Sequence, residues 1–514
     1  MHIQDHNELF LQPAYQEQFE GKREFENAAC PSEVARVAEW TKSEEYRELN
    51  FAREAVSINP AKACQPLGAM LAALGFAKTL PFVQGSQGCT AYFRSYFSRH
   101  FKEPIATVSS SMTEDAAVFG GLSNMTEGLE NAYTIYKPEM IAVSTTCMAE
   151  VIGDDLRAYI KQSKDKGAVP ETLPVPFAHT PSFVGSHLTG YDAMLKGILV
   201  ELAGEKAGGG ASGGGRADGA TDDGTINIVP GFDTYPGNLR EIKRMLDVMG
   251  VRYRMLADNS DVLDAPNFGS YELYPEGGTP LADAAQAQNA KATVLLQRWS
   301  TPKTAEFIRT EWGQEVVVCN PIGVGGADAF LAEVSRLTGL PVPHQLEVER
   351  GRAVDAMLDS HPYVYGKRFA LVGDPDQLLG VMSFLLELGG RPMHVVCTNG
   401  DKKFKKAAEE LLASSPAGAD GTVWIKKDMW HLRSLMCTEP VDLLIGPSSA
   451  KFLVRDTRTP LVRVGFPIHD RHHLHKTPIA GYEGAMNLLT MVVNTVLDEL
   501  DRAAIDTTSF DLVR

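Results

Sequence analysis

Three cysteines lie at or near the start of the first predicted block of alternating strands and helices, or at its junctions between strands and turns: Cys64, Cys89 and Cys147. Cys147 follows the apolar run 140–143, which has the length and β-branched content of a buried strand, and it precedes an amphipathic helix predicted over 154–164. Parallel α/β sheets hold ligands and cofactors at such strand ends. Because cysteine thiolates are the usual ligands of iron–sulfur clusters, cluster ligation is one interpretation of these residues.

Three thiolates are one fewer than the four of an ordinary cluster, so either a group other than cysteine or another chain would have to complete the set. The alternative is that the three thiols are inert parts of the core, since free cysteine is among the most buried residue types. Their positions alone leave both interpretations open. The remaining cysteines are interpreted as inert core thiols: Cys30, Cys319, Cys397 and Cys437.

Composition narrows the class of protein. The formal net charge is −16 over 514 residues, which argues against a nucleic-acid binder because phosphate backbones require a basic surface. No apolar run approaches the roughly 20 residues of a membrane-spanning helix, and the N-terminus lacks the layout of a secretory signal. Seven cysteines without a CxxC pair do not indicate a disulfide framework. We therefore expect a cytoplasmic protein with no nucleic-acid or membrane partner.

The chain is long enough for two or three domains, and strand–helix alternation begins at three places along it. Repeated units of this kind predict an α/β fold with parallel, doubly wound sheets and right-handed crossovers. The predicted limits are an N-terminal helical arm over 1–60, a domain carrying the cysteines over 61–205, a Gly-rich flexible insertion over 206–225, a second domain over 226–350, and a third domain with a C-terminal helix over 351–514.

Two local patterns give further predictions about helices and contacts. The arm contains seven aromatic residues, too many for a solvated tail, so we expect it to pack on a partner subunit. Ser111, with Glu114 three residues later, predicts a capping box that opens a helix over 112–118.

Two charged segments are candidate cation sites. Asp355 and Asp359 are four residues apart, so both carboxylates share one face of a predicted helix. A hard cation with oxygen ligands would compensate the like charges, and the alternative is a solvated acidic face. In the His-rich stretch 469–476, Arg471 and Lys476 oppose cation binding, which favours a charged interface loop over a metal site.

Two motifs in the first predicted domain are highly specific. Ser144-Thr145-Thr146-Cys147, followed five residues later by Gly153-Asp154-Asp155-Leu156, and the segment GSQGCTAYF at 85–93 resemble the β chains of the nitrogenase molybdenum–iron protein family. The resemblance covers nearly the whole chain and includes HTPSFVGSH at 179–187 and FPIHDRHH at 466–473. No phosphate-binding loop or kinase signature occurs, so this chain is not expected to bind ATP itself.

The resemblance implies three Rossmann-like domains and an α2β2 assembly. It implies that Cys64, Cys89 and Cys147 supply half the thiolates of an 8Fe–7S P-cluster, with the α chain supplying the rest. Ser182 matches the serine whose oxygen joins this cluster on oxidation, whereas the sequence alone would make it a turn residue. Tyr92 matches a residue between the P-cluster and the molybdenum cofactor, which lies in the α chain.

The resemblance also implies two protein contacts. Phe119 matches the apolar contact on which the ATP-hydrolysing iron protein docks transiently, and core packing is the alternative for this residue. Glu103 and the backbone of Lys102 match a site for a divalent cation, iron or calcium, at the interface of two β chains. Asp355 and Asp359 of the second β chain would complete that site.

The implied function is electron relay in an oxidoreductase. Electrons would pass from the docked iron protein through the P-cluster to the α-chain cofactor, where N2 is reduced to ammonia and protons to H2. The alternatives are a non-catalytic scaffold for assembly of the molybdenum cofactor, the related subunit of dark-operative protochlorophyllide reductase, and a plain Rossmann-like binding protein with buried thiols. The long arm, Ser182 and the three cysteines favour the nitrogenase enzyme.

Overall fold

A computed structural model gives the structure of the chain over residues 5–26, 28–204 and 222–505. In these ranges, helices flank three separate sheets whose strands are all parallel, which confirms the predicted α/β fold class. Most of the predicted Gly-rich insertion, at 206–221, lies outside the described residues. None of the described helices is both long and apolar enough to span a lipid bilayer.

The strands form one sheet in each of three successive parts of the chain. The described strands are β1 (Thr79–Gln84), β2 (Val108–Ser109), β3 (Met140–Thr145), β4 (Phe177–Ala178), β5 (Ile226–Val229), β6 (Tyr253–Met255), β7 (Ala292–Leu295), β8 (Glu315–Val318), β9 (Arg368–Val372), β10 (Arg391–Cys397), β11 (Thr422–Ile425), β12 (Leu443–Gly446) and β13 (Leu461–Arg463). Their spatial orders are β2-β1-β3-β4, β6-β5-β7-β8 and β11-β10-β9-β12-β13.

Helices connect most of the strands and cover the sheets. The described helices are α1 (His6–Phe10), α2 (Pro13–Glu26), α3 (Pro31–Trp40), α4 (Glu44–Ala52), α5 (Gln65–Leu74), α6 (Gln87–Phe101), α7 (Glu114–Phe119), α8 (Leu122–Tyr136), α9 (Cys147–Ile152), α10 (Leu156–Asp165), α11 (His187–Ala203), α12 (Pro236–Met249), α13 (Leu281–Ala285), α14 (Pro302–Phe307), α15 (Gly323–Thr338), α16 (His344–Val364), α17 (Pro375–Glu387), α18 (Lys402–Ala413), α19 (Met429–Thr438), α20 (Lys451–Thr457) and α21 (Gly481–Ile505).

The first sheet is buried on both faces because successive side chains of its strands point to opposite sides. Phe82 of β1 and Val143 of β3 pack against residues of α8 and α10. The neighbouring side chains, Val83 and Ala142, belong to the core formed with α5 and α11 on the other face. The continuous apolar run recognised in the sequence is therefore a strand covered by two helix layers.

The second and third sheets share one large core. Residues of both sheets and of the C-terminal helix α21 belong to the same buried apolar cluster, and α21 packs on α12, α15 and α16. The predicted limit at residue 350 lies inside α16, which continues to Val364.

The last helix of the predicted arm packs on its own chain. Asn50 of α4 donates hydrogen bonds at 3.0 Å to the Trp430 carbonyl oxygen and to Ser434 Oγ of α19. Arg53 forms an ion pair with the fully buried Asp428 carboxylate, with an N–O distance of 2.8 Å. In contrast, α1 and α3 contain no buried residue. Packing of this first part of the arm on a partner subunit stays a prediction.

The predicted capping box at Ser111 is wrong. The helix begins at Glu114, and Thr113 occupies its N-cap without a side-chain hydrogen bond. Ser111 instead has a φ angle of +52°, and its Oγ lies 3.3 Å from Ser109 Oγ. The backbone N–H of Met112 donates to the Gly85 carbonyl oxygen at 3.0 Å, which ties this segment to the end of β1 before the helix can start.

Helices α5 and α11 cross so closely that glycine is required at the contact. A Cβ atom on Gly68 would lie 1.7 Å from the His187 carbonyl oxygen, and one on Gly190 would lie 1.9 Å from the Gln65 carbonyl oxygen. These are backbone atoms, so neither contact can be relieved by rotating a side chain. The crossing fixes α5, and therefore its first residues, against the rest of the first domain.

We expect Gly190→Ala to destabilise the protein by about 1–3 kcal/mol or more, because the added methyl group must separate two packed helices. The measurement is the midpoint of thermal unfolding. Gly351→Ala is the matched control: Gly351 also lies inside a helix, but nothing lies within 4 Å of its added Cβ. The control should leave the midpoint unchanged or raise it, since alanine is the better helix former. Equal unfolding midpoints for the two variants would contradict the requirement for glycine at the contact between α5 and α11.

Candidate functional site

All three predicted ligand cysteines lie at the N-terminal ends of helices. Cys64 is the N-cap residue of α5, Cys89 is the third residue of α6, and Cys147 is the first residue of α9. The first turn of a helix presents backbone N–H groups without intrahelical partners and carries a partial positive charge. The three ends therefore favour negatively charged sulfur at these positions.

The register of the first sheet brings two of these helix ends to one place. β1 and β3 pair in step from Thr79 opposite Met140 to Gln84 opposite Thr145, so both strands end at the same level. Cys89 follows the end of β1, and Cys147 follows the end of β3. The third neighbour, β4, ends at Ala178 and leads into the segment that contains Ser182.

Electrostatics shows that the three thiols are neighbours. Burial raises the pKa of the Cys89 thiol, and the Cys147 and Cys64 thiols raise it further because each disfavours a second negative charge nearby. Cys64 and Cys89 are half-buried, whereas Cys147 is exposed. The set therefore opens to the surface of the chain.

The two loops that carry Cys89 and Cys147 pack directly on each other at Gly85. A Cβ atom on Gly85 would lie 1.9 Å from Thr146 Oγ1, and its φ of +152° is a conformation that side chains rarely adopt. The Thr146 N–H also donates to the Gln84 carbonyl oxygen at 3.0 Å. Glycine at position 85 is therefore what allows the two loops to meet.

A buried carboxylate fixes the far end of the Cys147 helix. Asp154 accepts hydrogen bonds from Gln84 Nε2 at 2.9 Å and from the Gly121 N–H at 3.0 Å. The Tyr159 hydroxyl donates to the same carboxylate at 3.3 Å. Asp154 thereby links the end of β1, the start of α8 and the turn after α9. The sequence motif contains this residue, but nothing in the pattern identified its role.

The Cys64 end of the site is held by a histidine that joins α11 to the N-cap residue of α17. The backbone N–H of Ala63 donates to His187 Nδ1 at 3.1 Å. The backbone N–H of His187 donates to the Ala63 carbonyl oxygen at 2.9 Å. Since Nδ1 accepts, Nε2 carries the proton and donates to Asp374 of the third domain at 3.0 Å. Sequence spacing could not indicate this contact, because the two partners lie far apart in the chain.

Three buried polar atoms near the cysteines have no hydrogen-bond partner in the described residues: Gln84 Oε1, Thr90 Oγ1 and Thr146 Oγ1. Thr90 follows Cys89 directly, and Thr146 directly precedes Cys147. Buried polar groups are normally paired, because an unpaired group costs about 1–3 kcal/mol. Unpaired hydroxyl groups on the residues next to Cys89 and Cys147 therefore fit a bound group that carries hydrogen-bond acceptors, as sulfide and thiolate sulfur do.

The structure places the other predicted site residues as follows. Ser182 lies half-buried in a turn. Tyr92 lies on α6, one helical turn after Cys89, and is 49% exposed. Burial and the neighbouring Tyr96 raise the pKa of the Tyr92 hydroxyl. Phe119 is 85% exposed at the end of α7, so it is not a core residue.

The predicted cation ligands are not brought together within one chain. Lys102 ends α6 with a φ of +63°, and its Nζ donates to the Arg99 carbonyl oxygen at 2.7 Å. Burial raises the pKa of the half-buried Glu103, and the nearby Lys476 opposes this effect. Asp355 and Asp359 lie exposed on α16. Over the described ranges, no group of three or more His, Cys, Asp or Glu residues is arranged to hold a metal ion.

The other cysteines differ in their exposure to solvent. Cys319 and Cys397 are buried, and burial raises their pKa values, to about 12 for Cys319. Cys437 is half-buried. The prediction that Cys30 is a core thiol is wrong, because Cys30 is exposed and hydrogen bonds from Ser32 lower its pKa.

Comparison with known proteins shows the family. A family model described as nitrogenase component 1 type oxidoreductase matches residues 64–497, and a model described as a domain of unknown function matches residues 1–50. The chain belongs to the nitrogenase component 1 type oxidoreductases. This nitrogenase-family chain is 60% identical to the nitrogenase molybdenum-iron protein beta chain of Nostoc sp., over 99% of its own length and 98% of that protein.

Two further relatives agree with this family assignment. The beta chain from Azotobacter vinelandii is 53% identical, over 96% of this chain and 94% of that protein. A solved structure titled "Nitrogenase Cp1 at pH 6.5" superposes with a TM-score of 0.84 at 41% identity, over 90% of this chain and 98% of that chain. The resemblance seen in the cysteine motifs is thereby confirmed, and this nitrogenase-family chain is an oxidoreductase subunit.

We expect Gly85→Ala to lower the iron content of the purified protein, because the added methyl group would separate the loops that carry Cys89 and Cys147. Iron is measured because the relatives are molybdenum–iron proteins. The matched control is Gly153→Ala at the other end of α9, where φ is +82° but nothing lies within 4 Å of the added Cβ. Gly153→Ala carries a similar backbone cost of about 1–2 kcal/mol and should keep its iron. Full iron content in Gly85→Ala would contradict the role of Gly85 in bringing the two loops together.

Proposed function

We propose that this chain is the β subunit of a molybdenum–iron nitrogenase in an α2β2 tetramer. It would relay electrons through an 8Fe–7S P-cluster, shared with the α chain, to the α-chain cofactor that reduces N2 to ammonia. The observation that supports this most strongly is that Cys64, Cys89 and Cys147 all lie at helix N-termini, and that Cys147 and Cys64 are near enough to Cys89 to add to the effect of burial in raising its pKa. All seven cysteines are free, as expected of a protein in the reducing cytoplasm.

Cys64, Cys89 and Cys147 would hold one half of the P-cluster, and Ser182 would be its additional ligand in the oxidised state. When bound, the cluster supplies reversible one-electron transfer. The helix ends direct N–H groups and partial positive charge toward the thiolates, which lowers the cost of collecting several anionic sulfurs. The unpaired hydroxyls of Thr90 and Thr146 would donate to sulfur, and the half-burial of Cys64 and Cys89 limits the access of water.

Tyr92 would lie on the route from the P-cluster toward the α chain. It lies on the same helix as Cys89, and burial, Tyr96 and, to a smaller extent, the Cys64 thiol raise its pKa, which supports a position of the ring near the thiols. Its ring centroid is 5.1 Å from that of Tyr96. Since the phenol stays protonated, Tyr92 would present a neutral polar edge to the partner chain.

The β subunits of two αβ pairs would share a cation. The Lys102 backbone and Glu103 of one copy, with Asp355 and Asp359 of the other, would bind a divalent cation, iron or calcium. The exposure of the two aspartates on α16, and the lack of any metal-holding group of three or more His, Cys, Asp or Glu among the described residues, fit a site that needs two copies.

Phe119 would be part of the surface on which the ATP-hydrolysing iron protein docks. Val118, Phe119 and Val151 are all more than three-quarters exposed. Met112 and Ala116 pack with Ala149, which joins α7 to the Cys147 helix. Docking there would bring the electron donor close to the thiols without occupying them.

Cys147→Ala should abolish the P-cluster and nitrogenase activity, because solvent cannot replace a thiolate ligand in a site closed by the α chain. The measurements are cluster iron per αβ pair and the absorption and paramagnetic-resonance spectra of the reduced and oxidised protein. Cys437→Ala, which removes a half-buried thiol of α19 outside the candidate site, should keep both. Retained cluster spectra in Cys147→Ala would refute the proposed ligation. A wild-type tetramer without this interface cluster would instead indicate the scaffold alternative.

Phe119→Ala should weaken docking of the iron protein by about 2 kcal/mol, roughly 30-fold, because a fully exposed aromatic residue is a typical interface anchor. Iron content should not change. The measurement is substrate reduction as a function of iron-protein concentration. Phe268→Ala, which removes an equally exposed phenylalanine on a distant loop, should behave as wild type. Loss of iron in Phe119→Ala would contradict a role limited to docking.

A further inference from the structure

Gln65 joins two parts of the candidate site. It follows Cys64 directly, is 6% exposed, and is the first residue of α5. Its side-chain Nε2 donates to the Pro181 carbonyl oxygen at 2.8 Å and to the Val184 carbonyl oxygen at 2.9 Å. Both amide hydrogens are therefore used, one on each side of the turn that contains Ser182 and Phe183.

The backbone around Gln65 is built for this contact. A Cβ atom on Gly185 would lie 3.2 Å from the Gln65 side-chain amide, and Gly185 has a φ of +65°. Gly190 allows the first turn of α11 to reach the Gln65 carbonyl oxygen. The turn at 181–184 and the start of α11 thus close over one buried amide. Phe183 and Val184, by contrast, are more than half exposed and do not anchor the turn in the described part of this chain.

We propose that Gln65 is a positioning residue that holds the Ser182 turn against the Cys64 end of α5. Its two hydrogen bonds fix the serine hydroxyl beside the thiolates instead of leaving it on a free surface turn. The inference rests on the proposed function, since it concerns the residue proposed as the additional ligand of the oxidised P-cluster. According to this proposal, the Gln65 side chain keeps Ser182 at the site although it is not itself a ligand.

The amide is chemically specific for this task. Glutamate has the same shape, but its carboxylate has no hydrogen to donate and would face two carbonyl oxygens, and even its protonated form has only one hydrogen for the two acceptors. Gln65→Glu therefore replaces two attractive hydrogen bonds with unfavourable oxygen–oxygen contacts, and it creates no cavity. The turn is expected to move away from α5, while Cys64, which precedes residue 65 and makes no contact through this amide, keeps its place.

The test compares wild type, Gln65→Glu, Ser182→Ala and the double variant as purified α2β2 tetramers. Redox titrations with dye mediators, repeated at several pH values, give the midpoint potential of the P-cluster, and iron is measured in parallel. Binding of the Ser182 oxygen to oxidised iron would release the hydroxyl proton to the buffer as electrons pass to the dye. The wild-type potential should therefore fall as pH rises. Ser182→Ala should lose this pH dependence and keep its iron.

Gln65→Glu should match Ser182→Ala: full iron content and no pH dependence. The double variant should show no change beyond Ser182→Ala, because two residues that act through one contact are not additive. Gln314→Glu is the matched control, since Gln314 is 5% exposed and its Nε2 donates to the Ala287 carbonyl oxygen at 2.8 Å in the second domain. This control should keep the wild-type pH dependence.

The outcomes separate the two proposals. A wild-type pH dependence in Gln65→Glu, iron loss in that variant, or a further shift in the double variant would each overturn the role of Gln65 and leave the P-cluster in place. Wild-type protein without cluster iron, or with a potential that does not respond to pH, would instead overturn the proposed function of the cysteines or of Ser182.

Discussion

β1 and β3 end at the same level and β4 ends one residue earlier, and this near-common edge is the constraint on which the rest of the site depends. Parallel strands in step must start their following loops at one edge of the sheet. Gly85 and Thr146 therefore meet, and the segments that carry Cys89, Cys147 and Ser182 leave the sheet side by side. A shift of register by one residue would turn the apolar side chains away from their helix layer and separate the thiols at the same time. Core packing and site geometry are thus fixed together.

Much of this arrangement could be predicted from the sequence, because it follows from local patterns. The apolar run at 140–143 predicted β3, and the helix predicted over 154–164 is observed as Leu156–Asp165. Ser182 does lie in a turn, as the sequence alone predicted. These features depend on residues that are neighbours in the chain, so sequence alone carries them.

The parts that could not be predicted depend on contacts between distant segments. Cys64 does not follow a strand, and its place is set by His187 and Asp374 and by the glycines of the α5–α11 crossing. The Ser111 capping box failed for the same reason, since the Met112 N–H is taken by the Gly85 carbonyl oxygen. Cys30 was assigned to the core because its residue type is usually buried, although its helix lies on the surface. No local rule contains these partners.

The opposing influences on Cys89 explain why such a site is completed only by binding. Burial and two neighbouring thiols raise its pKa, so without a ligand this sulfur holds its proton, whereas the start of α6 favours the thiolate. Metal coordination requires deprotonated cysteine and compensates the negative charge that burial disfavours. Burial of the exposed Cys147 requires a partner surface, which also lowers the local dielectric and strengthens the N–H contacts to sulfur. Cluster loading and subunit contact should therefore favour each other, and neither step leaves three thiolates unshielded in water.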